Sequence, residues 1–139
     1  MSKVILNAIK LTRPFNCISS FSGVLIGGLV VEMPAPNRLW IAGIVAALIT
    51  AGGNVVNDYI DIEIDRINKP TRVLPSGGLS TSFAAWFCII LFGAALTISL
   101  TLGKVMAAYA AIMVSMSLLY SIELKKSFLF GNIDGSRIS

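Results

Sequence analysis

Four apolar runs, at about 15–31, 39–56, 83–102 and 105–122, constrain this 139-residue chain more than any other feature. Each is near the ~20 residues a helix needs to cross a hydrocarbon layer about 30 Å thick. Lipid offers no partner for exposed backbone N–H and C=O groups, so each run is predicted to be helical. The expected fold is all-α, a polytopic membrane helix bundle of about four transmembrane helices. Composition agrees: 55% of residues are hydrophobic, 13% are charged, and mean hydropathy is +0.82. A soluble domain carries roughly 25% charge, and a small globule could not cover its surface with so few polar groups. Disorder is excluded by the hydrophobicity. Nucleic acid is excluded as a partner, because a net charge of +4 without a basic stripe is no footprint for it.

The joins set the topology. Glu32, Pro34, Pro36 and Asn37 punctuate the first, the second is long and polar from Asn57 to about Ser82, and Gly103-Lys104 make the third tight. Nine of the eleven basic residues fall in the N-terminal segment, the second join and the tail, and only Arg38 and Lys104 lie on the other side. The bias predicts a multi-pass protein of the cell membrane with both termini and the long join in the cytoplasm. A cleaved signal peptide is disfavoured, since the first run is long for one and Pro34 and Pro36 do not resemble a cleavage site.

The chain has no histidine, and Cys17 and Cys88 stand alone in apolar runs. Any metal must therefore be held by oxygen. Four of the seven acidic residues, Asp58, Asp61, Glu63 and Asp65, fall within NDYIDIEID at 57–65. On a helix continuing from the second run, Asn57, Asp61 and Asp65 stack on one face, Asp58 flanks it, and Glu63 points elsewhere. Stacked carboxylates repel, so a positive partner is expected between them. A solvated helix end is the competing reading, but Asp and Asn are poor helix formers. An Asn/Asp ladder suits Mg²⁺, which takes one or two carboxylates and completes its shell with water and substrate phosphates. Arg66, Lys69 and Arg72 follow directly and suit phosphate oxygens, or serve only as positive anchors of topology. Pro70, Pro75, Gly77 and Gly78 predict a turn-rich loop, with Ser80 or Thr81 capping the next helix. The small residues of GVLIGG at 23–28 and AGG at 51–53 predict close helix packing.

The stretch NDYIDIEIDRINKPTRVLPSG closely resembles the first Asp-rich motif and following loop of the UbiA superfamily of intramembrane prenyltransferases. Asn57, Asp58, Asp61 and Asp65 match the family pattern NDxxDxxxD. The loop, LTRPFN at 11–16, and Tyr120-Ser121 with Leu124-Lys125 and Gly131-Asn132 are most similar to the archaeal digeranylgeranylglyceryl phosphate synthase branch. The resemblance implies Mg²⁺-dependent transfer of a geranylgeranyl group from its diphosphate to the hydroxyl of geranylgeranylglyceryl phosphate, through an allylic carbocation. The partners it implies are an isoprenyl diphosphate donor, a lipid-like acceptor and membrane lipid. It assigns metal ligation to Asn57, Asp61 and Asp65 with Asp58 close by, and makes Asp58, Asp61 and Asp65 catalytic. Lys69, Arg72 and Lys125 would contact phosphate, and Arg13 and Asn16 the acceptor's phosphate or the donor. Tyr120 would line the chamber or serve as an interfacial tyrosine.

Two departures stand out. Val73 replaces a usual loop proline, and the family's nine helices and second Asp-rich motif are not matched, since Glu123 and Asp134 are the only later acids. Residues 1–133 are read as the N-terminal portion of a UbiA-type domain, and 134–139, DGSRIS, as a polar tail outside the pattern. One ladder gives half of a two-sided clamp, so a separate C-terminal half or a homodimer is the expected partner, and the isolated chain is expected to be inactive or poorly active. The alternative functions are a non-catalytic membrane subunit or a small four-helix cation-coupled transporter. Acids at a helix end rather than in mid-span favour surface phosphate chemistry over transport.

Overall fold

Prolines and hydroxyl caps decide where the helices begin. In the computed structural model, which describes residues 2–32 and 34–135 and side chains as far as Glu123, Ser2 caps α1 (Lys3–Thr12) by accepting from the Val4 N–H. Pro14 opens α2 (Pro14–Val30) and Pro36 opens α3 (Pro36–Ile60), positions where a missing N–H costs nothing. Asp61 joins α3 to the short α4 (Ile62–Asn68). Ser80, one of the two expected caps, accepts from the Phe83 N–H at 3.1 Å and starts α5 (Thr81–Leu100). Gly103, at φ 109°, makes the tight turn into α6 (Lys104–Gly135).

The described residues are all-helical, as expected. Three helices, Pro36–Ile60, Thr81–Leu100 and Lys104–Glu123, are long and apolar enough to cross a membrane. Pro14–Val30 has 17 residues, about 25 Å at 1.5 Å per residue, the short end of the spanning range. α1 is an element the apolar runs did not predict, because ten residues are too few to span.

α3 is the hub, packed against α1, α2, α5 and α6. Its small residues permit this. A Cβ at Gly52 would come within 2.7 Å of the Phe92 ring, and one at Gly53 within 2.6 Å of Ser117 Oγ. The expected close packing therefore holds at AGG and at Gly28, which faces Leu39, whereas Gly23 and Gly27 face open space. At the other end from the acids, the Arg38 guanidinium donates to the Leu102 carbonyl and closes the α5–α6 turn. A cavity of about 310 Å³ lies in that half, lined by Val24, Val45, Ile49, Met106 and Met113. At the acidic end, Leu11 of α1, Val55 of α3 and Leu74 and Leu79 of the loop form one buried cluster with Ala84. The loop is thus a packed lid on the helix ends, with its turns fixed by Gly78 N–H to Val73 O at 2.8 Å.

Candidate functional site

The acidic segment does not continue as one unbroken helix. α3 stops at Ile60, and Asp61 sits at φ −86°, ψ 5° before α4 starts. The N–H groups of Asp61 and Asp65 still reach the Asn57 and Asp61 carbonyls at 2.9 and 2.8 Å, so the break is a kink that keeps the turns in register. The reason is local: Asp and Asn compete for backbone hydrogen bonds, and β-branched Ile60, Ile62 and Ile64 crowd the turn.

Burial then separates the carboxylates. Asp58 and Asp65, seven residues and so two turns apart, are buried, whereas Asn57 and Asp61 are half-buried. Arg72 Nη1 donates to Asp65 Oδ2 at 2.6 Å and reaches Asp58 Oδ1 at 3.3 Å, so one cationic nitrogen stands between two carboxylates. Arg13 donates to the same Asp58 Oδ1 through Nη2. Arg13 occupies the left-handed region at φ 52° just before Pro14, a conformation that costs a non-glycine residue about 1–2 kcal/mol. The elbow between α1 and α2 is therefore held by its ion pair. These contacts join α1–α2, α3–α4 and the loop at one point. The carboxylates are buried while the guanidinium groups are partly solvated, so removing an arginine, which leaves buried carboxylate charge behind, costs about 2–3 kcal/mol.

A second set of bonds fixes the upper turn of the site. Asn54 Nδ2 donates to the Thr12 carbonyl at 2.9 Å, tying α3 to the elbow. Ser121 of α6 donates through its hydroxyl to Asn57 Oδ1, with the Ser117 carbonyl also in reach at 2.9 Å. Asn54 and Ser121 are both buried. Asn54 was not among the expected site residues, although a lone amide inside the apolar run GGNVV was its signal, since lipid tolerates polar groups there only against a partner.

Other expected residues fall around this cluster. Glu63 points away, as expected, and pairs on the surface with Arg66 at 3.1 Å. Lys69, Asn16 and Tyr120 are exposed. The Lys125 side chain and the tail at 136–139 lie outside the described residues. Among the described residues, no three His, Cys, Asp or Glu side chains converge as a ready metal cage. The guanidinium groups of Arg13 and Arg72 meet carboxylates here.

Helices long and apolar enough to cross a membrane, with a carboxylate–guanidinium cluster at one end, define a polytopic membrane helix bundle. The chain belongs to the UbiA prenyltransferase family, matching it over residues 20–136. It is 35% identical over 125 residues to the digeranylgeranylglyceryl phosphate synthase of Methanopyrus kandleri, covering 90% of this chain and 46% of that protein. The synthase of the same name from Sulfolobus acidocaldarius is 39% identical over 125 residues, at 89% and 46% coverage. A solved chain from structural work on digeranylgeranylglyceryl phosphate synthase in membranes superposes with a TM-score of 0.84 at 35% identity, covering 90% of this chain and 46% of that one. The chain thus spans about half the length of the relatives it matches.

Proposed function

We propose that this chain supplies the first acidic motif of a prenyltransferase that moves a geranylgeranyl group from its diphosphate to the hydroxyl of geranylgeranylglyceryl phosphate. The observation that carries this reading is the Arg72 nitrogen shared between Asp58 and Asp65. Two carboxylates that already share one cationic centre, with the Asn57 and Asp61 oxygens a turn away, form a donor set of the kind Mg²⁺ accepts. When bound, Mg²⁺ supplies charge neutralisation for the departing diphosphate.

The chain's own residues then have defined tasks. Asn57, Asp58, Asp61 and Asp65 hold the ion at the helix end. Arg13 and Arg72, released from the carboxylates, turn to the phosphate oxygens together with Lys69 and Lys125, where their charge is worth most at the leaving group. Ser121 and Asn54 keep the upper turn from moving. Asn16 and Tyr120, exposed in this chain, face the acceptor or the remainder of the fold. The other carboxylates of a two-sided clamp come from a C-terminal half or a second copy. The excess of basic residues in the N-terminal segment and the second join supports a cytoplasmic position for this end.

The test is a membrane assay with labelled geranylgeranyl diphosphate, geranylgeranylglyceryl phosphate and Mg²⁺. This chain is co-expressed with the C-terminal half of the Methanopyrus kandleri synthase. Product that appears only with both halves and is lost with Asp61→Ala supports the reading. Product unaffected by Asp61→Ala and by Asp65→Ala together removes the metal assignment.

A further inference from the structure

α1 divides lengthwise into three sectors. At about 100° per residue, Val4, Asn7, Ala8 and Leu11 share one side; Val4, in the first turn, is 49% exposed, and from Asn7 onward this side faces the protein. Leu11 is 1% exposed, Ala8 packs on the Val55–Leu74 cluster, and Asn7 Nδ2 donates to the Gly78 carbonyl at 3.0 Å. Ile5, Leu6 and Ile9 fall within an arc of about 100° on the opposite side, and are 51%, 42% and 42% exposed. Lys3 and Lys10 lie along one seam between the two sectors, and the helix carries no acidic residue.

The helix also packs at an end of the bundle rather than along its middle. Its C-terminal end holds Asn54 and Asp58 of α3, so it sits at the acidic end of the bundle. The left-handed turn at Arg13 breaks the helical path between α1 and the apolar helix α2 that follows. Water would leave the Ile5–Leu6–Ile9 face wet, whereas hydrocarbon would cover it. Lysines beside such a face carry their ammonium groups to headgroup level while their stems stay apolar.

We propose that α1 lies in the plane of the leaflet next to the acidic site and docks there on anionic phospholipid headgroups. The inference rests on the helices spanning a bilayer and is independent of the transferred group. Its consequence is positional: the docked helix fixes the elbow from which Arg13 reaches Asp58.

The experiment uses the whole chain in lipid nanodiscs, with Trp40→Phe and Trp86→Phe removing the native indoles. Ile5→Trp reports on α1 and Ile90→Trp, exposed in mid-α5, on the bundle. Ile5→Trp emission is expected to be quenched by lipids brominated near the headgroup, little by iodide in water, and more as anionic lipid is added. Lys3→Ala with Lys10→Ala is expected to weaken docking roughly thirtyfold in anionic discs, at about tenfold or less per lysine. Strong iodide quenching, or shielding from both quenchers as a covering protein would give, overturns the proposal, as does quenching indifferent to anionic lipid. Ile90→Trp is quenched by bromines near the bilayer centre if the helices span. Its failure overturns the spanning reading and the docking with it, whereas docking alone fails when only Ile5→Trp misbehaves.

Discussion

α3 and α6 are both apolar helices of membrane-crossing length, yet 44% of the apolar stretch of α3 is buried within the chain against 17% for α6. α3 uses Gly52, Gly53 and buried polar groups to let four neighbours approach. α6 carries large side chains at Val105, Tyr109, Ile112, Met116 and Leu119, all exposed and spaced by three or four residues along one face. Hydropathy alone does not distinguish the two. The difference teaches that α3 is specified by contacts inside this chain, whereas one face of α6 is left for lipid or for the remainder of a longer fold.

The sharpest attempt to break that contrast is Asp58→Ala. It leaves Arg13 without its carboxylate and Arg72 with only Asp65. Because both guanidinium groups are partly solvated, it should cost about 2–3 kcal/mol of stability and abolish product in the two-half assay. An SDS unfolding titration reads the first and labelled product the second. Arg72→Ala should cost about 2–3 kcal/mol in chelator, since Arg72 is partly solvated. Added Mg²⁺ should restore part of that loss, seen as a larger rise in thermal midpoint than the wild-type chain shows. Gly52→Val should cost about 1–3 kcal/mol by overpacking against Phe92. Combining it with Phe92→Leu should recover a share that a double-mutant cycle can measure. Ser121→Ala removes one hydrogen bond to Asn57 and should cost about 1 kcal/mol, with a larger effect on activity than on unfolding. Leu119→Ala on the bare face of α6 should change the stability of this chain by less than about 0.5 kcal/mol. An equal cost at Leu119 and Gly52 would erase the contrast between the helices.

Much of the architecture is legible in the order of the amino acids. The apolar runs locate the spans, Ser80 announces a cap, and GG at 52–53 announces close packing. α1 is not legible as an apolar run, because its pattern is short and its three sectors differ only by what packs against them. At the site, the motif brings Asn57, Asp58, Asp61 and Asp65 to one helix end, but which of them are buried is not written in it. Helical spacing aligns Asn57, Asp61 and Asp65 on one face, while the packing of α1 and the loop against the helix end decides that Asp58 and Asp65 are the buried pair. That Arg13 would reach Asp58 across 45 positions has no local signal at all.

Hydropathy is local and additive, so the amino-acid order settled which segments are helical, which are greasy enough for lipid, and at which end charge gathers. Ion pairing and burial depend on segments distant in the chain arriving at one point. Only the packed helices decided that Arg72 stands between Asp58 and Asp65, that Ser121 holds Asn57, and that α1 turns its isoleucines outward.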